Sequence, residues 1–280
     1  MSVVPNSRTD LPVRTRTFYR RVLTELTQAK IPFLVGGAYA LECYTDVWRD
    51  TKDLDVFIRP DDVQRVLRHF HKAGFKVELT FPHWLAKVFG GKNFVDVIFS
   101  SGNGIATVDE DWFRYAKSGM ILGAQRNICP AEEMIWSKAF VMERERFDGA
   151  DVAHLLLSQA KSLDWERLLR RLGPHWEILL THLILFGFVY PGSKSDIPDW
   201  LMQKLARKLL AGRRKSSLGN HAVQGTLLSR AQYLIDLRSW GYRDARLQPQ
   251  GRMSAKDIAI WTDAIEDENR TIRNQRMQAE

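Results

Sequence analysis

The segment Val35-Gly36-Gly37, followed fifteen residues later by Asp53-Leu54-Asp55-Val56, decides the fold class of this chain. Residues 33–35 form a short apolar run that ends at the two glycines, and residues 38–44 are good helix formers. This part of the chain therefore predicts a strand, a tight turn and a helix. Residues 53–58 then alternate between two kinds of side chain, which is the pattern of a second strand with two different faces.

Three carboxylates associated with this strand suggest a metal site. On a strand, residues i and i+2 point to the same side with Cα atoms about 6–7 Å apart, so Asp53 and Asp55 project together. Asp96 lies among apolar residues in Phe94-Val95-Asp96-Val97-Ile98, where burial of an acid is costly unless something compensates its charge. A neighbouring strand would add Asp96 as a third ligand. The expected cofactor is Mg²⁺ or Mn²⁺, because these ions prefer oxygen ligands.

The two glycines supply a second part of the pattern. Without side chains, Gly36 and Gly37 let the backbone approach a phosphate closely, and the following helix directs unpaired N–H groups at the anion. A Gly-Gly pair is also common in ordinary tight turns, and an Asp-x-Asp pair is common on protein surfaces. Only the combination with Asp96, in this order, favours a nucleotide-phosphate site.

Together these residues resemble the nucleotidyltransferase superfamily built like DNA polymerase β. The segment Arg49-Asp50-Thr51-Lys52-Asp53-Leu54-Asp55 is similar to the small prokaryotic branch, in which a basic residue and a threonine precede the acidic pair. That branch includes minimal nucleotidyltransferases, antibiotic nucleotidyltransferases and the nucleotidyltransferase partners of toxin–antitoxin pairs. The resemblance covers residues 33–99.

The resemblance implies specific roles in the transfer of a nucleoside monophosphate. Asp53 and Asp55 would bind both metal ions, and Asp96 would bind the catalytic ion and help activate the acceptor. An acceptor hydroxyl would attack the α-phosphorus in line, and pyrophosphate would leave. The expected nucleotide contacts are Gly36, Gly37, Arg49, Thr51, Lys52 and Lys138.

Lys138 enters through a second, looser likeness between residues 130 and 151 and the helical segment that follows the core in uncharacterised members. In that segment the resemblance implies that Lys138 contacts nucleotide phosphates and that Asp148 or Asp151 helps to shape the site. Salt bridging on a helix surface is the alternative explanation for these three residues.

The fold class expected is α/β (α+β): a nucleotidyltransferase-type mixed sheet with flanking helices, followed by a mainly helical C-terminal region. We predict a nucleotidyltransferase core at residues 1–128 and the helical region at residues 129–280. One helix is predicted at residues 131–146, and the segment from Met120 to Ile128 is expected to be a brief strand-like interruption.

Composition narrows the class of protein. The formal net charge of +8 favours polyanionic partners, which include a free NTP, a tRNA or DNA. Part of this charge lies between Arg207 and Lys215, as a phosphate-binding patch or as a solvated helix end. Two cysteines and a polar stretch at residues 1–11 suggest a cytoplasmic protein without a secretory signal. The apolar stretch at residues 176–190 is interpreted as a buried helix, so no membrane is expected.

Three functions remain open at this stage. The first is an enzyme that transfers an NMP, with ATP as the expected donor, to a small hydroxyl compound, a protein or an RNA end. The second is a partner of a toxin-like protein, acting by complex formation or by nucleotidylating that toxin. The third is a nucleotide-binding protein with little catalysis.

Overall fold

The computed structural model describes residues 11–48, 51, 53–212 and 221–265, which form two compact units. The first unit comprises residues up to 80 together with 84–99 and 107–134. The second comprises residues 81–83, 100–106 and those from 135 onward. The chain is a mixed α/β protein with a helical C-terminal part, as the sequence predicts.

A mixed sheet of seven strands forms the centre of the first unit, in the order β3-β4-β5-β2-β1-β7-β6. Strand β2 runs parallel to β5, and β1 runs parallel to β7. The pairs β1–β2, β4–β5 and β6–β7 are antiparallel. The strands are β1 Leu34–Val35, β2 Leu54–Phe57, β3 Lys76–Phe81, β4 Leu85–Gly90, β5 Asn93–Ile98, β6 Lys117–Ile121 and β7 Ala124–Ile128.

Four helices accompany this sheet: α1 Val13–Gln28, α2 Gly37–Thr45, α3 Val63–Lys72 and α4 Glu110–Arg114. In α1, the buried positions Tyr19, Val22 and Leu26 follow the helical period, so one side of the helix packs inward and the other faces solvent. In α3, Val63, Val66 and Phe70 are buried in the same way. Both helices are therefore amphipathic.

The second unit is mainly helical. Its helices, of which α5 begins within the first unit, are α5 Ala131–Lys138, α6 Gly149–Gln159, α7 Trp165–Leu172, α8 Trp176–Val189, α9 Asp199–Gly212, α10 Leu234–Arg238 and α11, residues 255–265. Two short parallel strands, β8 Ala222–Val223 and β9 Arg243–Asp244, pair with each other. Short 3₁₀ turns connect several of these elements.

Two local predictions differ from the structure. The helix predicted over residues 131–146 ends at Lys138, because the chain then turns back on itself and Met142 pairs with Phe147 in an isolated bridge. The strand-like interruption predicted at residues 120–128 is part of a hairpin of two full strands, β6 and β7, that begins at Lys117. Leu122 and Gly123 both have positive φ, which is the geometry of the tight turns that join twisted antiparallel strands.

By length and composition only, residues 165–189 would suffice to cross a membrane, and 44% of their most apolar window is buried. The 3₁₀ turn Gly173–His175 divides this stretch into α7 and α8. Helix α8 has 14 residues and packs against α6, α7 and α9. It is about 21 Å long, which is shorter than a hydrocarbon core of about 30 Å. One side of α8 is buried, and the other exposes Ile184 and Phe188.

Candidate active site

Two parallel strands bring three carboxylates together in the first unit. Asp53 lies immediately before β2, Asp55 lies within β2, and Asp96 is the direct register partner of Asp55 on β5. Adjacent strands lie about 4.8 Å apart, so side chains on the same face of these two strands are neighbours. One ligand oxygen from each of the three residues lies within 4.8 Å of the others. The group can therefore hold a metal ion.

The donor set fits the expected cofactor. All three ligands are carboxylates, and the cluster contains no histidine or cysteine. Hard cations such as Mg²⁺ and Mn²⁺ bind oxygen donors of this kind, whereas zinc and copper sites usually include nitrogen or sulfur. A three-carboxylate set also leaves coordination positions for phosphate oxygens and water.

The turn before α2 is shaped around Asp55. Gly37 has φ +55, and a Cβ atom there would lie 1.7 Å from Oδ2 of Asp55. The backbone N–H of Gly36 donates to the carbonyl oxygen of Asp55 over 3.0 Å, and a Cβ atom at Gly36 would lie 2.2 Å from the ring of Phe57. Both glycines are therefore required for the first turn of α2 to lie directly against the acidic strand.

The three parts that the sequence analysis combined, the glycine turn, the acidic pair and the acid on a neighbouring strand, occupy one site in the structure.

A lysine that the sequence analysis missed lies within the carboxylate cluster. Lys87 on β4 is the register partner of Asp96, and its Nζ donates to Oδ1 of Asp96 over 2.6 Å. Burial raises the pKa of Asp96, and the hydrogen bond and charge of Lys87 oppose that effect without cancelling it. The site thus carries its own cation beside the third acid.

Asp53 is also held by a neighbouring side chain. The hydroxyl of Thr51 donates to Oδ1 of Asp53 over 2.6 Å, which orients this carboxylate. The predicted nucleotide contact of Thr51 stays a prediction. Arg49 and Lys52, the other two residues predicted from this segment, lie outside the described residues.

The charge of the carboxylate cluster affects the pKa of Tyr19 in α1. Burial raises the pKa of Tyr19 to about 12, and the charges of Asp53, Asp55 and Asp96 add to this effect. The tyrosine is fully buried, and its ring packs edge-on against the ring of Tyr39 in α2. Its hydroxyl therefore stays protonated near neutral pH, and α1 lies close to the three acids.

Lys138 lies at the end of α5 in the second unit, with partners of its own. Its Nζ is 2.7 Å from Oδ2 of Asp151 and 3.1 Å from Oδ2 of Asp148. Arg146 also donates two hydrogen bonds to Asp148. The two predicted acids therefore share the lysine in a largely buried ion cluster, and a phosphate contact of Lys138 stays a prediction.

Comparisons with known proteins give likenesses of fold. No protein-family model and no curated protein matches the chain. Among solved structures, it is similar to the antibiotic-resistance factor ANT(2'')-Ia, with 15% identity, 61% of this chain and 98% of that chain covered, and a TM-score of 0.43.

It is also similar to the lincosamide antibiotic adenylyltransferase LnuA in its lincomycin-bound form, with 12% identity, 50% of this chain and 94% of that chain covered, and a TM-score of 0.36. A third is an antigenic nucleotidyltransferase-like protein from Paracoccidioides brasiliensis, with 13% identity, 60% of this chain and 91% of that chain covered, and a TM-score of 0.35.

Proposed function

We propose that this protein is a metal-dependent nucleotidyltransferase that moves an NMP, with AMP from ATP as the expected case, onto an acceptor hydroxyl. The observation that carries the proposal is the convergence of Asp53, Asp55 and Asp96 to within 4.8 Å. Lys87 pairs with Asp96, but the three carboxylates at this distance would still repel one another without a further cation. Such a cluster beside a glycine turn suits the binding of a divalent ion together with a triphosphate.

In the proposed reaction, the acceptor oxygen forms a bond to the α-phosphorus while the bond from phosphorus to the pyrophosphate oxygen breaks. Divalent ions held by the three acids would stabilise the charge on the phosphoryl oxygens and lower the pKa of the acceptor hydroxyl. The chain itself positions the ligands. Thr51 orients Asp53, and the glycine turn packs directly on Asp55.

The start of α2 is the proposed position of the triphosphate. In any α-helix the first N–H groups have no acceptor within the helix, and they favour anions. Gly36 is the N-cap of α2, and Gly37 lies against Asp55, so this helix end faces the carboxylates at short range. Pyrophosphate would leave from this end, where its charge is stabilised.

The test is transfer of label from α-labelled ATP, with Mg²⁺ or Mn²⁺, to a panel of small hydroxyl compounds, RNA and co-expressed proteins. Asp53→Asn/Asp55→Asn should reduce transfer below a hundredth, since losing a stabiliser of transition-state charge commonly costs about 10²–10³-fold. The matched control is Asp61→Asn/Glu78→Gln, which removes two exposed acids of the same unit and should leave transfer unchanged.

The outcome separates the three functions. Equal activity in both double variants would contradict the proposed site. Tight ATP binding by calorimetry with no transfer to any acceptor would favour a nucleotide-binding protein. Transfer confined to one co-purifying protein would favour the toxin partner, which stays a prediction.

A further inference from the structure

Helices α1 and α3 lie side by side and antiparallel in the first unit. Three contacts show this: Arg21 to the carbonyl oxygen of Ala73, Glu25 to His69, and Arg65 to the carbonyl oxygen of Ala29. From each contact to the next, the residue number rises by four along α1 and falls by four along α3, which is the pattern of an antiparallel pair. The exposed sides of the two helices therefore form one continuous surface.

This α1–α3 surface is strongly basic. Among the described residues, the exposed positions of the two helices include no aspartate or glutamate, although Asp61 and Asp62 directly precede α3 and Asp62 pairs with Arg65 over 3.7 Å. Glu25, the acid within α1, is part-buried and pairs with His69 over 3.0 Å. The exposed arginines and lysine that define the α1–α3 surface are Arg14, Arg20, Arg21, Arg65, Arg68 and Lys72.

Some of these cations bind backbone carbonyl oxygens within the described structure, and others do not. Arg21 and Arg65 each donate to the carbonyl oxygen at the C-terminal end of the other helix, and Nε of Arg20 donates to the carbonyl oxygen of Leu122. Arg14, Arg68 and Lys72 form no hydrogen bond or ion pair with any described residue. Their positive charge is therefore available to an external anion.

The N-terminal end of α1 lies near the candidate active site. The hydroxyl of Thr15, in the first turn of α1, donates to the side-chain oxygen of Asn93 over 3.1 Å. Asn93 is the first residue of β5 and lies three residues before Asp96, which is about 10 Å along the strand. Helix α1 then extends for about 20 Å from Thr15 to Gln28. A polyanion that ends at the carboxylates could thus follow the two helices.

We infer that the α1–α3 surface binds the phosphodiester backbone of a nucleic-acid acceptor whose terminal hydroxyl reaches the carboxylate cluster. The inference rests on the proposed function and names the class of its acceptor. Cations distributed along a helix match a chain of phosphates better than a single anion. Exposed Thr17, Thr24 and Gln64 add neutral hydrogen-bonding groups of the kind that contact phosphate and sugar.

The composition of this surface argues against a membrane. An interfacial helix inserts large apolar side chains beside its cations. Among the exposed positions of α1 and α3, Val13 is the one apolar residue. RNA and DNA share the phosphate chemistry proposed here, so both are included in the test.

The test measures binding of a fluorescent 20-nucleotide RNA, and a DNA of the same sequence, by polarisation without NTP or metal and over a series of salt concentrations. The variant Arg14→Gln/Arg68→Gln/Lys72→Gln removes the three cations that have no partner among the described residues. Its matched control, Arg144→Gln/Lys161→Gln/Arg252→Gln, removes three exposed cations of the second unit.

We expect wild-type affinity to fall linearly with salt on logarithmic axes. The α1–α3 variant should bind at least tenfold more weakly and with a shallower slope, because each lost phosphate contact reduces the slope by about 0.7–0.9. The control should change affinity less than about threefold. Equal losses in both variants, no binding of either oligonucleotide by the wild type, or equal binding to polyglutamate or anionic vesicles would overturn the inference.

A further arm separates this inference from the proposed function. Asp53→Asn/Asp55→Asn should lose label transfer and keep oligonucleotide binding. Transfer to a small acceptor by a wild type that binds no oligonucleotide would overturn the nucleic-acid acceptor and leave the nucleotidyltransferase intact. Binding without transfer to any acceptor would leave the surface in place and contradict the enzyme.

Discussion

At the scale of single residues, Gly37 shows how closely the backbone and the carboxylates are fitted. Its positive φ disfavours any side chain, and a methyl group on its Cα would overlap Asp55. Gly74, at the end of α3, has φ +84, and no atom lies within 4 Å of the position that a methyl group would take there. Both glycines therefore have the left-handed backbone conformation that favours glycine, but only Gly37 lies against Asp55.

We expect Gly37→Ala to lose metal binding as well as stability. Both Gly37→Ala and Gly74→Ala should cost about 1–2 kcal/mol of unfolding free energy, because alanine is strained in the left-handed region. Only Gly37→Ala should also displace Asp55 and weaken Mn²⁺ binding, measured by calorimetry. Equal Mn²⁺ affinity in the two variants would contradict the close packing of the turn on Asp55.

Lys87 is the second residue whose replacement is informative. A cation bound at Oδ1 of Asp96 has to compete with the ammonium group of Lys87, which lies 2.6 Å from that oxygen. At pH 8, Lys87→Met should therefore bind Mn²⁺ several-fold more tightly, as expected from the loss of an ion pair worth about 1 kcal/mol. Lys76→Met, on the neighbouring strand β3, serves as the control. Weaker Mn²⁺ binding by Lys87→Met would show that the lysine supports the metal site.

At the scale of elements, the β4–β5 hairpin explains why Lys87 meets Asp96. Gly90 pairs with Asn93, so Gly91 and Lys92 form a two-residue turn, and Gly91 has φ +68. A turn of this length fixes the register. Lys87 lies three residues before Gly90 and Asp96 lies three residues after Asn93, so the two residues are opposite each other. The register of this hairpin therefore brings Lys87 to Asp96.

The ion cluster at the ends of α5 and α6 predicts a dependence of stability on pH. Burial alone would raise the pKa of Asp148, but the hydrogen bond from Arg146 and the charges of Lys138 and Arg146 outweigh it, so the pKa is lowered. A lowered folded-state pKa contributes stability that is present above the unfolded pKa of about 3.9 and is lost as pH falls through the folded value.

We therefore expect Asp148→Asn to destabilise the protein by about 3 kcal/mol at pH 7, because removal of one partner leaves buried charges uncompensated. The difference from wild type should shrink as pH falls below about 4. Urea unfolding at both pH values measures it, with Asp263→Asn, an exposed acid of the same unit, as the control. A difference that stays constant with pH would contradict the charged role of Asp148.

At the scale of the whole molecule, a bound metal should stabilise the folded chain by mass action. Asp96 lies far along the chain from Asp53 and Asp55, so an unfolded chain does not hold the three acids together. A free metal concentration of 100 times the dissociation constant should add about 2.7 kcal/mol to the unfolding free energy.

Thermal unfolding with and without Mn²⁺ measures this effect. The shift in melting temperature should disappear in Asp53→Asn/Asp55→Asn and persist in Asp61→Asn/Glu78→Gln. An equal shift in both double variants would place the metal elsewhere on the protein.

The sequence by itself determined the local parts of this protein. The strand, glycine turn and helix at residues 34–45, and the common face of Asp53 and Asp55, follow from side-chain period and backbone conformation within a few residues. The sequence predicted Asp96 on a neighbouring strand, but only the tertiary structure showed that it is the direct register partner of Asp55 and that α1 packs beside α3. Contacts of this kind depend on strand order and on helix packing between segments far apart in sequence. The side-chain periodicity of one segment gives no information about which distant segment lies beside it.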